Sequence, residues 1–270
     1  MGFLKNTLQN AKLLYRLIRP NAPNQRSTIL KHYFWSVFSG FNYSKRSFWL
    51  VYQPDSNDIS HLHPEMQELY KAWIRGNRLN NNGDLARFYS LILNIKKLFA
   101  DKVPGDFAEL GVWRGNSAAV LAHFSSQEQR KCFLFDTFEG FDERDLQGID
   151  AKFGKSFTDT SIDYVKQTVG DKPNVVYVPG YFPESITQQT KDARYAFVNI
   201  DCDLYEPMKQ ALNFFYPRLN RGGFMFLHDY ASGLWGGSTQ AIDEFTKEHN
   251  LFLILLPDKS GTAIIRKSEN

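Results

Sequence analysis

The chain of 270 residues is 43% hydrophobic and 23% charged, enough apolar material for one α/β domain with an extension or for two small domains. It contains no run of about 18 apolar residues, so we expect no transmembrane helix. Its two cysteines, Cys132 and Cys202, have neither metal-ligand nor disulfide spacing, which indicates reduced thiols and a cytoplasmic protein.

The net charge of +3 is unevenly distributed along the chain. Residues 1–54 contain eight Lys and Arg and no Asp or Glu, whereas the rest of the chain carries 24 basic and 29 acidic side chains. Within this arm, residues 3–19 place apolar side chains at helical spacing opposite a basic face. Such a helix can lie on an anionic membrane surface, or it can pack on the body or on a second subunit. We therefore predict peripheral membrane contact through residues 1–54 as one hypothesis, and a homo-oligomer.

Aromatic residues are concentrated in residues 33–52, with Lys45 and Arg46 among them. Aromatic faces beside cations bind sugars or nucleotides, but they also form cores and subunit interfaces. No nucleic-acid-binding motif accompanies the patch, so we expect no nucleic acid partner. We divide the chain into a basic, aromatic-rich arm over residues 1–60, a helical lead-in over 61–104 and an α/β domain over 105–270.

The lead-in is predicted to hold two helices, over residues 64–74 and 84–100. Asp84 is a plausible N-cap of the second helix, whose apolar side chains recur at helical spacing. His61 and His63 precede the first helix in a polar stretch. We interpret these two histidines as solvated side chains, because no third metal ligand is evident nearby.

Residues 107–117 read FAELGVWRGNS, an apolar strand followed by a glycine turn and a helix. Gly111 and Gly115 allow the backbone and the helix N-terminus to approach a ligand closely. The third glycine of the dinucleotide fingerprint is missing. Glu109, on the strand itself, favours a cationic or hydroxyl-bearing ligand, and S-adenosylmethionine fits both features. The alternative is a plain α/β connection.

Further strands are predicted over residues 131–136, 175–178, 195–201 and 222–227, and a terminal hairpin over 251–256 and 262–265. Helical segments, among them residues 207–219 and 239–249, alternate with these strands. This alternation predicts a seven-stranded, mostly parallel sheet covered by helices on both faces. Asp136 ends the second strand, the position from which an acid typically binds ribose hydroxyls. Ligands in such sheets bind at the carboxyl ends of the strands.

Three carboxylates and an imidazole follow the fourth and fifth strands, as Asp201-Cys202-Asp203 and His228-Asp229. Loops at adjacent strand ends converge, and carboxylates brought together repel unless a cation or a proton joins them. Oxygen ligands with one imidazole suit Mg²⁺, Mn²⁺ or a similar ion. Such an ion would lower the pKa of a substrate hydroxyl, and a neighbouring carboxylate would remove its proton. The alternative is that Asp201 and Asp229 only cap loops and bind a cofactor.

The chain resembles the macrocin O-methyltransferase (TylF-like) family of sugar methyltransferases over roughly residues 105–250. The resemblance rests on five ordered motifs: ELGVWRGNSA at 109–118, DTFEGF at 136–141, PGYFPES at 179–185, DCDLYEP at 201–207 and RGGFMFLHDY at 221–230. It implies a class I methyltransferase fold, S-adenosylmethionine as methyl donor, and a divalent metal, usually Mg²⁺, that orients sugar hydroxyls.

The resemblance also implies roles for individual residues. The implied cofactor-binding residues are Glu109, Gly111, Ser117, Asp136, Gly180, Tyr181 and Asp201. Asp201 and Asp229 resemble metal ligands, and Asp203 resembles the general base. The family usually has an aspartate where this chain has His228. This departure has three possible explanations: His228 is a metal ligand, the metal binds more weakly, or His228 assists removal of the proton.

We therefore expect an S-adenosylmethionine-dependent O-methyltransferase that acts on a hydroxyl of a sugar or glycosylated acceptor, with Mg²⁺ and an aspartate base. The aromatic residues favour a catechol-like acceptor as an alternative. A metal-free enzyme with His228 as base is a second alternative. A non-catalytic, cofactor-binding assembly protein of a glycan pathway is a third.

Overall fold

The computed structural model describes residues 65–76, 84–170 and 172–268. Seven α-helices are found in these ranges: α1 (Glu65–Gly76), α2 (Leu85–Ala100), α3 (Asn116–Gln127), α4 (Ile162–Val169), α5 (Gln188–Asp192), α6 (Tyr205–Phe215) and α7 (Gly236–Glu248). The same ranges contain seven strands: β1 (Asp106–Leu110), β2 (Cys132–Asp136), β3 (Val175–Pro179), β4 (Tyr195–Ile200), β5 (Leu219–Leu227), β6 (Ile254–Leu255) and β7 (Ala263–Arg266).

The seven strands form one sheet in the order β3-β2-β1-β4-β5-β7-β6. The first five strands pair in parallel, and β7 pairs antiparallel with both β5 and β6. The expected fold, a mostly parallel seven-stranded sheet that ends in an antiparallel hairpin, is confirmed. The order reverses between β1 and β4, so these two adjacent strands have their carboxyl ends at the point where a doubly wound sheet binds ligands.

Both faces of the sheet are buried, which explains why the central strands read as continuous apolar runs. On one face, Phe107 and Phe197 pack with the apolar sides of α1, α2 and α3. On the other face, Phe135 and Val198 pack with α6 and α7. The side chains of β1, β2 and the second half of β5 alternate between these two cores, as the pleat requires.

Helix α2 begins where the sequence predicts it, because Asp84 is its N-cap. The Asp84 carboxylate accepts a hydrogen bond from the backbone N–H of Arg87 at 3.2 Å, which satisfies one free donor of the first turn. One side of α2 is buried, including Phe88, Leu91 and Ile95. The lead-in helix is therefore part of the core of the α/β domain.

Two helices begin earlier than the sequence predicts. Helix α6 starts at Tyr205 rather than at Pro207, since a proline in the first helical turn has no intrahelical N–H to lose. Helix α7 starts at Gly236 rather than at Thr239, in spite of two glycines. A Cβ on Gly237 would lie 2.2 Å from Asp150 Oδ2, so this helix start requires glycine for space.

The basic arm over residues 1–60 lies outside the described residues, as do His61 and His63. Membrane contact through residues 1–54 and the division of the chain at residues 60 and 104 remain predictions. Within the part of the chain that the structure describes, no helix combines the length and the apolar character needed to cross a membrane.

Candidate active site

A cavity of about 440 Å³ lies at the carboxyl edge of the central strands. Its wall includes the glycine turn after β1, the end of β2, the loop after β3 and the acidic loops after β4 and β5. Of the predicted site residues, the wall contains Gly111, Ser117, Asp136, Gly180, Tyr181, Asp201, Asp203, His228 and Asp229. This volume is in the range of protein sites for ligands of nucleoside size.

The turn between β1 and α3 depends on two glycines in the left-handed region. Gly111 has φ +85°, and a Cβ there would lie 1.9 Å from the backbone oxygen of Asp201. Gly115 has φ +83° and is the N-cap residue of α3. The absence of a side chain at Gly111 therefore allows the ends of β1 and β4 to meet, and the start of α3 faces the cavity.

Glu109 is 0% exposed and is not among the residues that line the cavity. Its Oε1 accepts hydrogen bonds from Ser117 Oγ at 2.5 Å and from Asn199 Nδ2 at 2.7 Å. Its Oε2 has no hydrogen-bond partner among the described residues. Burial raises the pKa of Glu109 to about 7, against the hydrogen bond from Ser117 and the charge of Arg87. Glu109 is therefore positioned to act on a ligand through Ser117 rather than by direct contact.

Asp136 lies in the cavity wall, but backbone N–H groups donate hydrogen bonds to both of its carboxylate oxygens. Its Oδ2 accepts the N–H groups of Val112 at 2.6 Å and Trp113 at 2.9 Å, and its Oδ1 accepts that of Phe138 at 2.7 Å. These bonds fix the glycine turn to the end of β2. The predicted contact with a ribose would have to share Oδ1, whose second hydrogen bond, from the Thr137 hydroxyl at 3.5 Å, is the longest at this carboxylate.

Gly180 and Tyr181 form the part of the wall that follows β3. The Gly180 N–H donates to the backbone oxygen of Asp136 at 3.0 Å. The Tyr181 hydroxyl donates to Asp145 Oδ1 at 2.7 Å, and the Arg144 guanidinium lies 3.7 Å from the centre of the Tyr181 ring. Burial raises the pKa of Asp145 to about 6, with the Tyr181 hydrogen bond opposing it. Tyr181 is thereby held between the strand end and residues 143–145.

The acidic loops after β4 and β5 converge on the ring of His228. Its Nδ1 lies 2.8 Å from Asp201 Oδ1 and 2.8 Å from Asp229 Oδ2. Nδ1 carries at most one hydrogen, so it cannot donate a full hydrogen bond to both carboxylates. The sequence prediction that Asp201, His228 and Asp229 lie together agrees with this geometry, and the three side chains offer one converging donor atom each.

A buried cation contacts this cluster from outside it. Arg87, on α2, is 3% exposed and donates from Nη2 to Asp201 Oδ2 at 2.8 Å. Although burial acts in the opposite direction, Arg87 and His228 lower the pKa of Asp201 below its usual value. Burial and Arg87 lower the pKa of His228, but Asp201 and Asp229 prevail and raise it to about 9. The two carboxylates beside Nδ1 therefore favour the protonated form of the ring.

Asp203 is buried in the cavity wall on the same loop. Burial, followed by the charges of Asp229 and Asp201, raises its pKa well above the usual value for an aspartate. Both Asp203 and Asp229 have left-handed backbone conformations, with φ of 61° and 64°. Such conformations are unfavourable for residues other than glycine, and they are concentrated at functional sites.

Sequence reasoning missed two features of the cavity. One is Arg87, whose only signal is a cationic residue beside the apolar stripe of α2, one turn after Asp84. The other is an aromatic wall formed by Trp113, Phe141, Phe157 and Trp235. Ring centres in this wall are 5.0–6.2 Å apart. No sequence pattern joins these four residues, because they come from three separate loops.

The family model of macrocin-O-methyltransferase (TylF) matches residues 83–256, well over half of the chain. A curated relative from Streptomyces olivaceus, 8-demethyl-8-(2,3-dimethoxy-alpha-L-rhamnosyl)-tetracenomycin-C 4'-O-methyltransferase, is 31% identical over 54% of this chain and 61% of its own length. Mycinamicin III 3''-O-methyltransferase from Micromonospora griseorubida is 25% identical over 58% of this chain and 66% of its own length. The alignments thus span less than two thirds of these relatives.

Solved structures support the fold independently. The O-methyltransferase NovP superposes with a TM-score of 0.58 at 21% identity, over 68% of this chain and 80% of that chain. The calicheamicin methyltransferase CalS11 superposes with a TM-score of 0.55 at 19% identity, over 98% of this chain and 93% of that chain. At these identities the likeness concerns the fold alone.

Proposed function

The chain belongs to the macrocin-O-methyltransferase (TylF) family, and from that premise we propose that it transfers a methyl group from S-adenosylmethionine to a hydroxyl of a sugar or glycosylated acceptor. The relatives in this family are named as O-methyltransferases, and one name includes a rhamnosyl group. The observation that carries the proposal is one cavity with a glycine turn on one side and a buried carboxylate–imidazole cluster on the other.

The donor side of the cavity suits S-adenosylmethionine, which supplies the methyl group from its sulfonium. The first turn of α3 has backbone N–H groups without intrahelical partners, to which the carboxylate of the methionine part can bind, and the missing side chain at Gly111 lets the ligand approach. Ser117, held by Glu109, adds a hydroxyl at the same place. Gly180 and Tyr181 border the cavity after β3, where we propose the adenine binds. Asp136 contributes by fixing the turn, and its direct contact with ribose remains part of the proposal.

The acidic side suits a divalent cation. The single Nδ1 hydrogen of His228 leaves two close carboxylates imperfectly satisfied, and a dication in place of that proton would engage Asp201 Oδ1, His228 Nδ1 and Asp229 Oδ2 together. When bound, such an ion would lower the pKa of an acceptor hydroxyl that it contacts. Arg87 holds the outer oxygen of Asp201, so Oδ1 remains turned toward His228.

We propose Asp203 as the general base. It lies buried in the cavity wall, and its raised pKa makes its carboxylate a stronger base than that of an ordinary aspartate. The chain's contribution is then alignment of the hydroxyl oxygen with the methyl group and acceptance of its proton, since methyl transfer needs no covalent enzyme intermediate.

Asp203→Asn tests this role. We expect kcat to fall by about 10²–10⁴-fold, the usual contribution of a general base, while the calorimetric affinity for S-adenosylmethionine stays within about twofold. Cys202→Ser, a change at the neighbouring cavity residue, is the matched control and retains most of the activity. An Asp203→Asn enzyme with normal kcat would refute the assignment.

The activity itself is tested by a transfer screen with labelled S-adenosylmethionine. Free glycosides, nucleotide-sugars, lipid-linked glycans and catechols are offered with and without added divalent ions. We expect label in a sugar-containing acceptor. The aromatic wall at Trp113, Phe141, Phe157 and Trp235 favours a catechol as the second candidate. Binding of S-adenosylmethionine without transfer to any acceptor would favour a non-catalytic role.

A further inference from the structure

The donor atoms at the ends of β4 and β5 are not all oxygens. Two are carboxylate oxygens, Asp201 Oδ1 and Asp229 Oδ2, and the third is the Nδ1 nitrogen of His228, 2.8 Å from each of them. His228 is 8% exposed, so its ring is fixed by the surrounding chain. Any ion bound by both carboxylates is therefore next to an imidazole nitrogen.

The three donor groups themselves, leaving aside the buried Asp203 and the Asp84 and Asp258 carboxylates that also lie near His228, carry little negative charge for a magnesium site. Each aspartate contributes one negative charge, and the imidazole contributes none when its nitrogen acts as a ligand. The Arg87 guanidinium, 2.8 Å from Asp201 Oδ2 and 3% exposed, cancels one of the two negative charges at short range. Mg²⁺ prefers anionic and neutral oxygen ligands and gives up its waters reluctantly, whereas first-row transition ions accept imidazole readily.

From this donor set we infer that His228 makes the site select a first-row transition dication over Mg²⁺, with Nδ1 as a direct ligand. This inference rests on the proposed function, because it concerns the ion that would assist the acceptor hydroxyl. The nearby Cys202 thiol is another donor that would favour such ions. It lines the cavity but is not one of the converging donors.

The test compares Co²⁺ and Mg²⁺ binding to the full chain by calorimetry in the presence of S-adenosylmethionine, together with the visible absorption of bound Co²⁺. His228→Asn is the principal variant, because Asn Oδ1 and His Nδ1 are each bonded to Cγ. The substitution exchanges nitrogen for oxygen without adding charge. His228→Gln is a second exchange of the imidazole for an amide, with a longer side chain, and Cys202→Ser controls for the thiol.

We expect the wild-type chain to bind Co²⁺ at least about 100-fold more tightly than Mg²⁺, and His228→Asn to reduce that ratio by at least about tenfold, the lower end of what a changed metal environment costs. The Co²⁺ absorption should change in His228→Asn and remain in Cys202→Ser. Should His228→Asn fail to fold, His228→Asp gives the same comparison with an added charge.

An unchanged ratio of Co²⁺ to Mg²⁺ affinity in both His228→Asn and His228→Gln would overturn the inference. A lack of ion binding by the wild-type chain at millimolar concentration would also overturn it. A ratio that falls in Cys202→Ser instead would assign the selectivity to the thiol and also overturn it. Failure of the proposed function is recognised separately, as a lack of S-adenosylmethionine binding by the wild-type chain.

Discussion

The buried carboxyl of Glu109 should make the free energy of unfolding of this protein depend on pH, and one isosteric substitution should remove that dependence. Burial raises the pKa of Glu109 from 4.5 to about 7 in the folded chain. Between these two values the folded state binds more protons than the unfolded state, so the free energy of unfolding falls as pH rises. Glu109→Gln keeps the shape and removes the titration.

The size of the effect follows from the same pKa values. A rise from 4.5 to about 7, at about 1.4 kcal/mol per pH unit, corresponds to about 3 kcal/mol in total. Most of this amount, about 2–3 kcal/mol, should develop between pH 5 and pH 8. Over that range Glu109→Gln should therefore gain stability relative to the wild-type chain. The amide oxygen can still accept from Ser117 and Asn199, so its structural cost near pH 5 should be small.

The assay is urea denaturation of both chains at pH 5, 6, 7 and 8, with the difference in unfolding free energy plotted against pH. Using the difference removes the contribution of other titrating groups, which both chains share. Glu128→Gln, at an exposed position just after α3, controls for the loss of a negative charge. A difference for Glu109→Gln that is constant within about 0.5 kcal/mol from pH 5 to pH 8 would refute the reasoning.

Two further substitutions test the contacts that shape the site. Arg87→Met leaves the Asp201 carboxylate without its buried partner and should lower the free energy of unfolding by about 3–5 kcal/mol. Arg266→Met, at a more exposed ion pair, is the control and should cost about 1 kcal/mol or less. Equal losses of stability in thermal denaturation of the two variants would contradict this. Gly111→Ala places a Cβ 1.9 Å from a backbone oxygen at φ +85° and should cost at least about 2 kcal/mol. Gly148→Ala, with φ +56° and no atom within 4 Å, is its control and should cost clearly less.

The fold could be predicted from the sequence because its signals are local. The apolar run that ends at Asp136 and the run from Tyr195 to Ile200 have the length and composition of buried parallel strands, and both form them. The first residue of a helix was less predictable where a group distant in sequence determines it. The sequence predicts that α7 begins at Thr239, after two glycines, and the reason for Gly237 is Asp150, almost 90 residues earlier in the chain.

The acidic side of the site could also be predicted, because loops that follow adjacent parallel strands must meet. Asp201 and Asp229 follow β4 and β5, which pair directly. The donor side was harder to assign. Asp136 is engaged by N–H groups 23 and 24 residues earlier in the chain, and Glu109 by Asn199, 90 residues later. Motif position identified these acids as important, but it could not tell whether a ligand or the chain itself uses their oxygens.

Arg87 connects the two segments that the sequence prediction separates at residue 104. Its helix, α2, lies in the lead-in, yet its guanidinium contacts Asp201 and its apolar face shares the core of β1 and β4. The preceding helix α1 joins the same core through Trp73, whose ring centre lies 5.3 Å from that of Phe88. A cation fixed by this packing cannot move away from Asp201 without disturbing the core. Arg87 therefore offsets the charge of Asp201 from a helix that precedes the sheet, and the lead-in is a structural part of the candidate site.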